Sequence, residues 1–288
     1  MMHRMAARSM GSRAMRRPWL LCADFDDTIS AKDTIQDLAL LACAARGASS
    51  ATWSQLCQQY MDEYMPAMAS IPHTSPPVAY DPIGLANFLR TFSAVDKASI
   101  DRVVASSVLA GLSRDVIADG ATSLVTLKPD AASVLSQLSM PLALISSNWS
   151  RDWLAASMHG IAVDAVYAND LVFDDGVSTG DLALCMQSPF EKAQCVTKLQ
   201  DHASIIYVGD GVNDLLALLT ADVGIVFGNP TASASRVARH FGVRLVDLVD
   251  ENTVSVAALA TRAATSKVEN APLLFRAPSW HVLGPFLC

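Results

Sequence analysis

Hydrophobic and polar positions alternate along this chain in a way that separates short strands from helices. Apolar runs end in polar turns and are followed by apolar residues at helical spacing, which predicts parallel strands joined by helices. Strands are predicted at residues 19–23, 142–145, 165–167, 204–208, 223–227 and 243–246, with a β-hairpin at 171–179. Because strands alternate with helices, we expect an α/β fold with a doubly wound parallel sheet.

A long helical block separates the first strand from the second. Apolar residues at spacings of three and four predict helices at residues 33–44, 52–65, 83–92, 97–110 and 113–126. Five prolines between residues 66 and 82 predict a loop after the second of these helices. Since a single strand–helix–strand unit needs far fewer residues, we expect residues 30–127 to form a helical insert in the sheet domain.

The two ends of the chain follow neither pattern. Residues 1–23 contain five arginines and no acidic residue. The composition of residues 1–18 is typical of an organelle transit peptide, and a merely basic leader is an equally good interpretation. Residues 251–288 lose the rhythm of strands and helices, so we predict no well-determined structure for them.

Composition narrows the class of protein. The formal charge of −7 argues against a nucleic-acid partner, because the phosphate backbone attracts a basic surface. No run of 18 uncharged apolar residues occurs, so we expect no membrane span. The six cysteines lack metal-binding spacing and predict free, buried thiols in a reducing compartment. We expect an intracellular protein, cytoplasmic or, with a transit peptide, mitochondrial or plastid, and the oligomeric state is left open.

Acidic residues follow the first predicted strand directly, in the segment DFDDT at residues 24–28. Asp24, at the strand end, can act as a nucleophile, and Asp26 can serve the same pocket as an acid or base. A DxD pair alone is weak evidence, because acidic turns are common. Its position after an apolar strand and before a threonine strongly indicates a catalytic site at the carboxyl edge of the sheet.

Two later segments offer groups that can hold phosphate. Ser146 ends the second predicted strand, and we assign phosphate binding to it and to its neighbours Ser147 and Asn148. Taken alone, Ser146 is better explained as a helix cap. Lys192 lies in the first turn of a predicted helix, where the helix dipole favours acidic residues. We therefore expect Lys192 to bind an anion, either phosphate or a nearby carboxylate.

The segment GDGVND at residues 209–214 combines two carboxylates with two glycines between a predicted strand and a predicted helix. We expect Asp210 to bind a metal ion directly and Asp214 to orient Asp210 or a metal-bound water. Asn213, from the same segment, is assigned to phosphate binding. A simple capping loop requires neither the paired carboxylates nor the paired glycines, so the functional interpretation is favoured.

These four segments, in this order, resemble the motifs of the haloacid dehalogenase-like (HAD) hydrolase superfamily over residues 19–247. The resemblance implies a Rossmannoid core at residues 19–29 and 128–250. It also implies that the helical block is a cap, inserted after the first motif, which closes over the pocket and selects the leaving group.

The resemblance implies Mg²⁺ as cofactor and a phosphoaspartate formed on Asp24. The metal ligands implied are Asp24, the backbone carbonyl of Asp26, and Asp210, supported by Asp214. Lys192 and Ser146 are implied to hold the non-bridging phosphoryl oxygens. An aspartate at position 26 is typical of family members that hydrolyse phosphomonoesters, with Asp26 as the acid and base.

A narrower resemblance concerns residues 146–152, 166–170 and 188–194. These segments are similar to the phosphatase domain of the plant thiamine monophosphate phosphatases, and the 288 residues contain no counterpart of the TenA-like domain fused to it there. The resemblance implies thiamine monophosphate as the small phosphorylated metabolite. Phosphoserine, pyridoxal phosphate or a nucleotide are alternative substrates. A non-catalytic binding protein of the same fold is a further alternative, although it would predict damaged motifs.

An aromatic stripe, Trp53, Tyr60 and Tyr64, follows helical spacing in the block. Such a stripe more often packs in a helix core, and otherwise it forms a stacking wall for an aromatic substrate. A cationic thiazolium ring would suit both an aromatic wall and a negatively charged cap.

Overall fold

The computed structural model describes residues 17–72, 78–250 and 255–288. The strands are β1 (Trp19–Ala23), β2 (Leu142–Ile145), β3 (Ala165–Tyr167), β4 (Asp170–Asp174), β5 (Val177–Ala183), β6 (Ser204–Gly209), β7 (Val223–Phe227), β8 (Arg244–Asp247) and β9 (Leu273–Ala277). Within the described residues, seven strands form one parallel sheet in the order β3-β2-β1-β6-β7-β9-β8. The antiparallel pair β4 and β5 forms the predicted hairpin. The doubly wound α/β fold predicted from the strand pattern is thus confirmed.

Helices cover both faces of this sheet. Outside residues 30–127 the helices are α5 (Ala131–Leu135), α6 (Arg151–Ser157), α7 (Pro189–Leu199), α8 (Leu215–Thr220), α9 (Ser233–His240), α10 (Val256–Val268) and α11 (Trp280–Leu287). In β1, Leu21 and Ala23 pack into the hydrophobic cluster on one face, while Cys22 packs into the cluster on the other. Both faces of the central strand are therefore buried, which explains why it is a continuous apolar run.

The helical block contains α1 (Ile35–Ala45), α2 (Ala51–Ala69), α3 (Pro82–Ser106) and α4 (Arg114–Leu124). An antiparallel bridge between Ser30 and Leu127 brings its two ends together beside the sheet. Its interior is a third hydrophobic cluster, built around Leu38, Ile100 and Ile117. The β4–β5 hairpin docks on this block, since the Ser178 hydroxyl donates to the Leu109 carbonyl at 2.6 Å.

Two helix boundaries in the block differ from the prediction. Helix α2 continues through Pro66 to Ala69, because Met68 in its last turn and Ile71 just after it are buried and stabilise that turn. Helix α3 is one helix of 25 residues instead of two. No Gly or Pro occurs at residues 93–96, and buried positions such as Phe92 and Ile100 continue on one face across this stretch.

The expectation that residues 251–288 lack defined structure is wrong for residues 255–288. Strand β9 enters the sheet between β7 and β8, and all five of its residues are buried. A charged residue conceals this strand in the sequence, since Arg276 lies within β9 and pairs with Asp247 of the neighbouring edge strand β8.

Two further expectations concern location. The predicted leader lies almost wholly outside the described residues, which begin at residue 17. Within the described part of the chain, no helix combines the length and the apolarity needed to cross a bilayer.

The six cysteines are free, as predicted, but Cys185 and Cys288 are exposed and only Cys22 and Cys43 are fully buried.

Candidate active site

All nine residues assigned to the site from the sequence line one cavity of about 630 Å³. They are Asp24, Asp26, Ser146, Ser147, Asn148, Lys192, Asp210, Asn213 and Asp214. The strands bring them together, because β1, β2 and β6 are adjacent and parallel and end at the same edge. The backbone N–H of Asp24 donates to the Val208 carbonyl at 2.9 Å, and that of Ser146 donates to the Tyr167 carbonyl at 3.0 Å.

Lys192 lies between two carboxylates at the base of the cavity. Its Nζ is 3.0 Å from Oδ1 of Asp24 and 2.8 Å from Oδ1 of Asp214, and the residue is only 1% exposed. Burial lowers the pKa of Lys192, but the attraction of the two carboxylates is stronger and raises it above its ordinary value. The unusual lysine in a first helical turn is therefore a charged partner of these acids.

Asp214 is fixed from three directions. Besides Lys192, the Tyr207 hydroxyl donates to its Oδ1 at 2.7 Å, and the Gly211 N–H donates to its Oδ2 at 2.9 Å. A Cβ on Gly209 would lie 2.4 Å from Cγ of Asp214, so the first glycine of the motif is required by close approach. Tyr207 was missed from the sequence, because it occupies one position in an otherwise apolar strand.

Three carboxylates form a compact acidic group. Ligand oxygens of Asp24, Asp210 and Asp214 all lie within 4.8 Å of one another. Burial first, and the Asp214 charge second, raise the pKa of Asp24 well above its ordinary value and that of Asp210 to about 7. An all-oxygen donor set whose mutual repulsion Lys192 offsets only in part is suited to a hard divalent cation such as Mg²⁺.

The C-terminal segment, residues 255–288, supports this acidic group. Trp280, fully buried in α11, donates its indole N–H to the Thr28 carbonyl at 2.8 Å. The Thr28 hydroxyl in turn donates to Oδ1 of Asp210 at 2.7 Å. Residues 24–28 are therefore held from both sides, by the GDGVND loop and by the C-terminal helix.

Asp26 is aimed by a separate set of hydrogen bonds. Its Oδ1 accepts from the Thr34 N–H at 2.8 Å and the Thr34 hydroxyl at 2.6 Å, and its Oδ2 accepts from Nδ2 of Asn148 at 2.8 Å. Burial raises the pKa of Asp26 despite these hydrogen bonds, which favour the ionised form. A carboxyl group that is both held in place and easily protonated fits an acid and base.

The structure gives Asn148 a different role from the predicted one. Its amide donates to Asp26 and to the Thr34 hydroxyl, and its oxygen accepts from the Ser150 N–H at 3.2 Å. With its polar atoms engaged in this way, Asn148 positions Asp26 and does not face phosphate. Ser147 differs, because its buried hydroxyl has no hydrogen-bond partner within the described chain and is available to a ligand oxygen.

The opposite wall of the cavity comes from the helical block. It includes the predicted stripe, and the rings of Tyr60 and Tyr64 lie 5.6 Å apart while Tyr64 lies 5.5 Å from Phe92. Trp53 also lines the cavity, but it is 8% exposed and packs edge-on against Trp149. The stripe therefore serves both the helix core and the cavity wall.

Asp96, on α3, was missed from the sequence. Its Oδ1 accepts from the Tyr60 hydroxyl at 3.0 Å, and its Oδ2 accepts from Nδ2 of Asn213 at 2.9 Å. A signal was present, since Asp96 follows Phe92 by four residues and so shares its helix face. The interrupted prediction for this helix concealed that relation.

The comparison with family models decides the family. The model described as "haloacid dehalogenase-like hydrolase" matches residues 21–219. The chain belongs to the HAD-like hydrolase family. The predictions of family, of fold class and of a HAD-like hydrolase are confirmed at this level, and the ester that is hydrolysed is a separate question.

Two curated relatives and one solved structure illustrate the range of similarity. The chain is 32% identical over 214 residues to the "Bifunctional TH2 protein, mitochondrial" of Arabidopsis thaliana, covering 68% of this chain and 34% of that protein. It is 26% identical to a CTO1 family protein of Schizosaccharomyces pombe, covering 80% and 89%. The structure of cytosolic 5′-nucleotidase IIIB bound to cytidine matches with TM-score 0.50 and 14% identity, over 93% of this chain and 84% of that one. This last match concerns the fold alone.

Proposed function

We propose that this chain is a Mg²⁺-dependent phosphomonoesterase that acts on thiamine monophosphate through a phosphoaspartate on Asp24. The observation that carries the proposal is the placement of the Asp24 carboxylate. It lies in the cavity, 3.0 Å from the Lys192 ammonium and within 4.8 Å of ligand oxygens of Asp210 and Asp214.

The donor set fits Mg²⁺. The carboxylates of Asp24 and Asp210 and the backbone carbonyl of Asp26 would hold the ion, with Asp214 supporting them. When bound, the ion supplies positive charge that reduces the repulsion between the nucleophilic carboxylate and the phosphate dianion. The carboxylates of Asp24 and Asp210, whose pKa values are raised by burial and by the nearby Asp214 charge, are groups whose repulsion such an ion relieves.

In the first half-reaction, an Asp24 oxygen forms a bond to phosphorus while the ester P–O bond breaks. Asp26 gives its proton to the departing alcohol oxygen, for which its raised pKa and fixed orientation are suited. Lys192 and the hydroxyls of Ser146 and Ser147 hold the non-bridging oxygens.

In the second half-reaction, Asp26 accepts a proton from a water molecule as the water oxygen bonds to phosphorus. The P–O bond to Asp24 then breaks, which restores the Asp24 carboxylate and releases inorganic phosphate. Asp26 thus returns to its protonated form, ready for the next turnover.

The cap is part of this proposal. Helices α2 and α3 of the block at residues 30–127 supply an aromatic wall that faces the catalytic carboxylates across the cavity. A wall of this kind excludes water from the phosphoaspartate and contacts the alcohol portion of the substrate.

The charge of the cavity supports thiamine monophosphate over phosphoserine. Among the described residues that line it, Lys192 is the one Lys, Arg or His, and two carboxylates already engage it. A substrate carboxylate would find no counter-ion there. An aromatic cation instead suits the tyrosine wall and the excess of acids, in line with the motif resemblance.

A phosphate-release panel tests this proposal. We expect thiamine monophosphate to give the highest kcat/KM among thiamine monophosphate, phosphoserine, pyridoxal phosphate and nucleoside monophosphates, and EDTA to abolish release. Faster release from another ester would overturn the substrate, and undiminished release in EDTA would overturn the metal dependence.

An organellar location is a proposal of its own. It is supported by the basic composition of residues 1–18 and by the word "mitochondrial" in the name of the Arabidopsis relative. A fluorescent protein carrying residues 1–18 should enter an organelle, and the same fusion with the five arginines changed to glutamine should not. Diffuse cytosolic fluorescence from the first fusion would overturn the proposal.

A further inference from the structure

Asp96 joins the cap to the catalytic loop. Its carboxylate accepts from Tyr60 of α2 on one oxygen and from Asn213 of the GDGVND segment on the other, at 3.0 and 2.9 Å. Because an ionised carboxylate only accepts hydrogen bonds, the Asn213 amide must turn its NH₂ group toward Asp96. Oδ1 of Asn213 is then left buried without a partner within the described chain. One of the two amide N–H donors of Asn213 is engaged by Asp96 and is not available to phosphate.

The hydrogen-bond partners of Asp96 are neutral, and the charge of Lys192 acts on it only from a distance. The ion pairs formed by the described residues do not include Asp96. Both of its neighbours, the Tyr60 hydroxyl and the Asn213 amide, are neutral donors, and Lys192 is held by Asp24 and Asp214. A half-buried carboxylate with neutral partners is an attractive position for a cation that arrives with a ligand.

Aromatic rings surround this carboxylate on the cap side. Tyr60 donates to it directly, Tyr64 lies 5.6 Å from Tyr60, and Phe92 lies one helical turn before it on α3. All four residues line the cavity. Ring faces attract cations through their quadrupole, and this attraction adds to that of a neighbouring carboxylate.

We propose that Asp96, together with the faces of Tyr60 and Tyr64, binds a fixed positive charge on the alcohol portion of the phosphoester. This inference rests on the proposed phosphatase function and adds the residue that determines specificity. It requires a cationic aromatic leaving group, but it does not require that this group be the thiazolium of thiamine.

Two phosphate esters of similar shape, one cationic and one neutral, measure how much the positive charge of the substrate contributes. One is the phosphate ester of N-(hydroxyethyl)pyridinium, and the other is phenylethyl phosphate, which has the same size and no positive charge. We expect the wild-type protein to prefer the cationic ester by about 10- to 100-fold in kcat/KM, mostly through KM.

Asp96→Asn tests the residue. It keeps the shape and leaves an oxygen that can accept from Tyr60, so we expect the preference to fall to within about 3-fold of unity, with the neutral ester affected little. Asp101→Asn is the matched control, because Asp101 is an exposed acid of the same helix and does not line the cavity. It should retain the full preference.

The outcomes separate this inference from the proposed function. If Asp96→Asn slows both esters equally, Asp96 is structural and the inference fails. If thiamine monophosphate is inert while the preference for the cationic ester is present, the proposed substrate fails and the subsite stands.

If neither ester releases phosphate, calorimetry with the two free alcohols decides instead. N-(hydroxyethyl)pyridinium should bind the wild type more tightly than phenylethanol does, and Asp96→Asn should remove the difference. Equal binding of both alcohols to the wild type would overturn the subsite.

Discussion

The two walls of the cavity are built on opposite principles. On the core wall, polar groups are committed to one another: Lys192 joins Asp24 to Asp214, and Thr34 and Asn148 hold Asp26. On the cap wall, aromatic residues neighbour Asp96, which forms no ion pair with another described residue. Under the proposed function, the core wall fixes the chemistry for any phosphoester, while the cap wall selects the alcohol.

Asp24→Asn should have the largest effect, on every ester alike. The amide cannot form the phosphoaspartate, so we expect kcat to fall by about 10⁴-fold or more for aryl and alkyl phosphates. Steady-state phosphate release measures the loss, and circular dichroism checks that the fold is retained. Turnover near the wild-type rate would show that Asp24 is not the nucleophile and that the core wall does not carry out the chemistry.

Asp26→Ala should discriminate between leaving groups. Without a proton donor, esters of alkyl alcohols should lose about 10²- to 10⁴-fold in kcat, while p-nitrophenyl phosphate, whose leaving group needs no proton, should lose less. Single-turnover rates for the two ester classes measure the difference. Equal losses would indicate that Asp26 has a structural role only.

Tyr64→Leu should affect the cap wall alone. Removing one aromatic face weakens contact with an aromatic cation, so we expect KM for thiamine monophosphate to rise by about 5- to 10-fold with kcat little changed. Ethyl phosphate, which is too short to reach the wall, serves as the reference substrate in the same assay. A parallel loss for ethyl phosphate would contradict the division between the walls.

Asp210→Asn should have the smallest effect, a gain in stability of the metal-free protein. The pKa of Asp210 in the folded chain is raised to about 7 by burial and by Asp214. A carboxyl group whose pKa is higher in the folded chain than in the unfolded chain binds more protons in the folded state. Its ionisation therefore destabilises the fold as the pH rises from about 4 to 7.

In EDTA at pH 8, the wild type should therefore be less stable than at pH 5.5, and Asp210→Asn should raise Tm at pH 8 by roughly 2–4 °C. Thermal unfolding followed by circular dichroism measures both. A variant that melts below the wild type at pH 8 in EDTA would show that repulsion among the carboxylates is not the dominant force at this site.

The pattern of the sequence predicted much of the core wall and little of the cap wall. Apolar runs located β1, β2 and β6, and polar residues at their ends located Asp24, Ser146 and Asp210, because parallel strands end at a common edge. Asp96 was missed, since its role depends on Asn213, which lies 117 residues away in sequence.

The local order of residues by itself determined the catalytic segments, most of the helices and every strand of the sheet except β9, because periodicity and turn chemistry act over a few neighbours. Only the tertiary structure decided that β9 lies between β7 and β8, that Trp280 holds the first acidic loop, and that Tyr207 and Lys192 meet at Asp214. These contacts join segments far apart in the chain, and their energies depend on burial, which no local pattern of residues encodes.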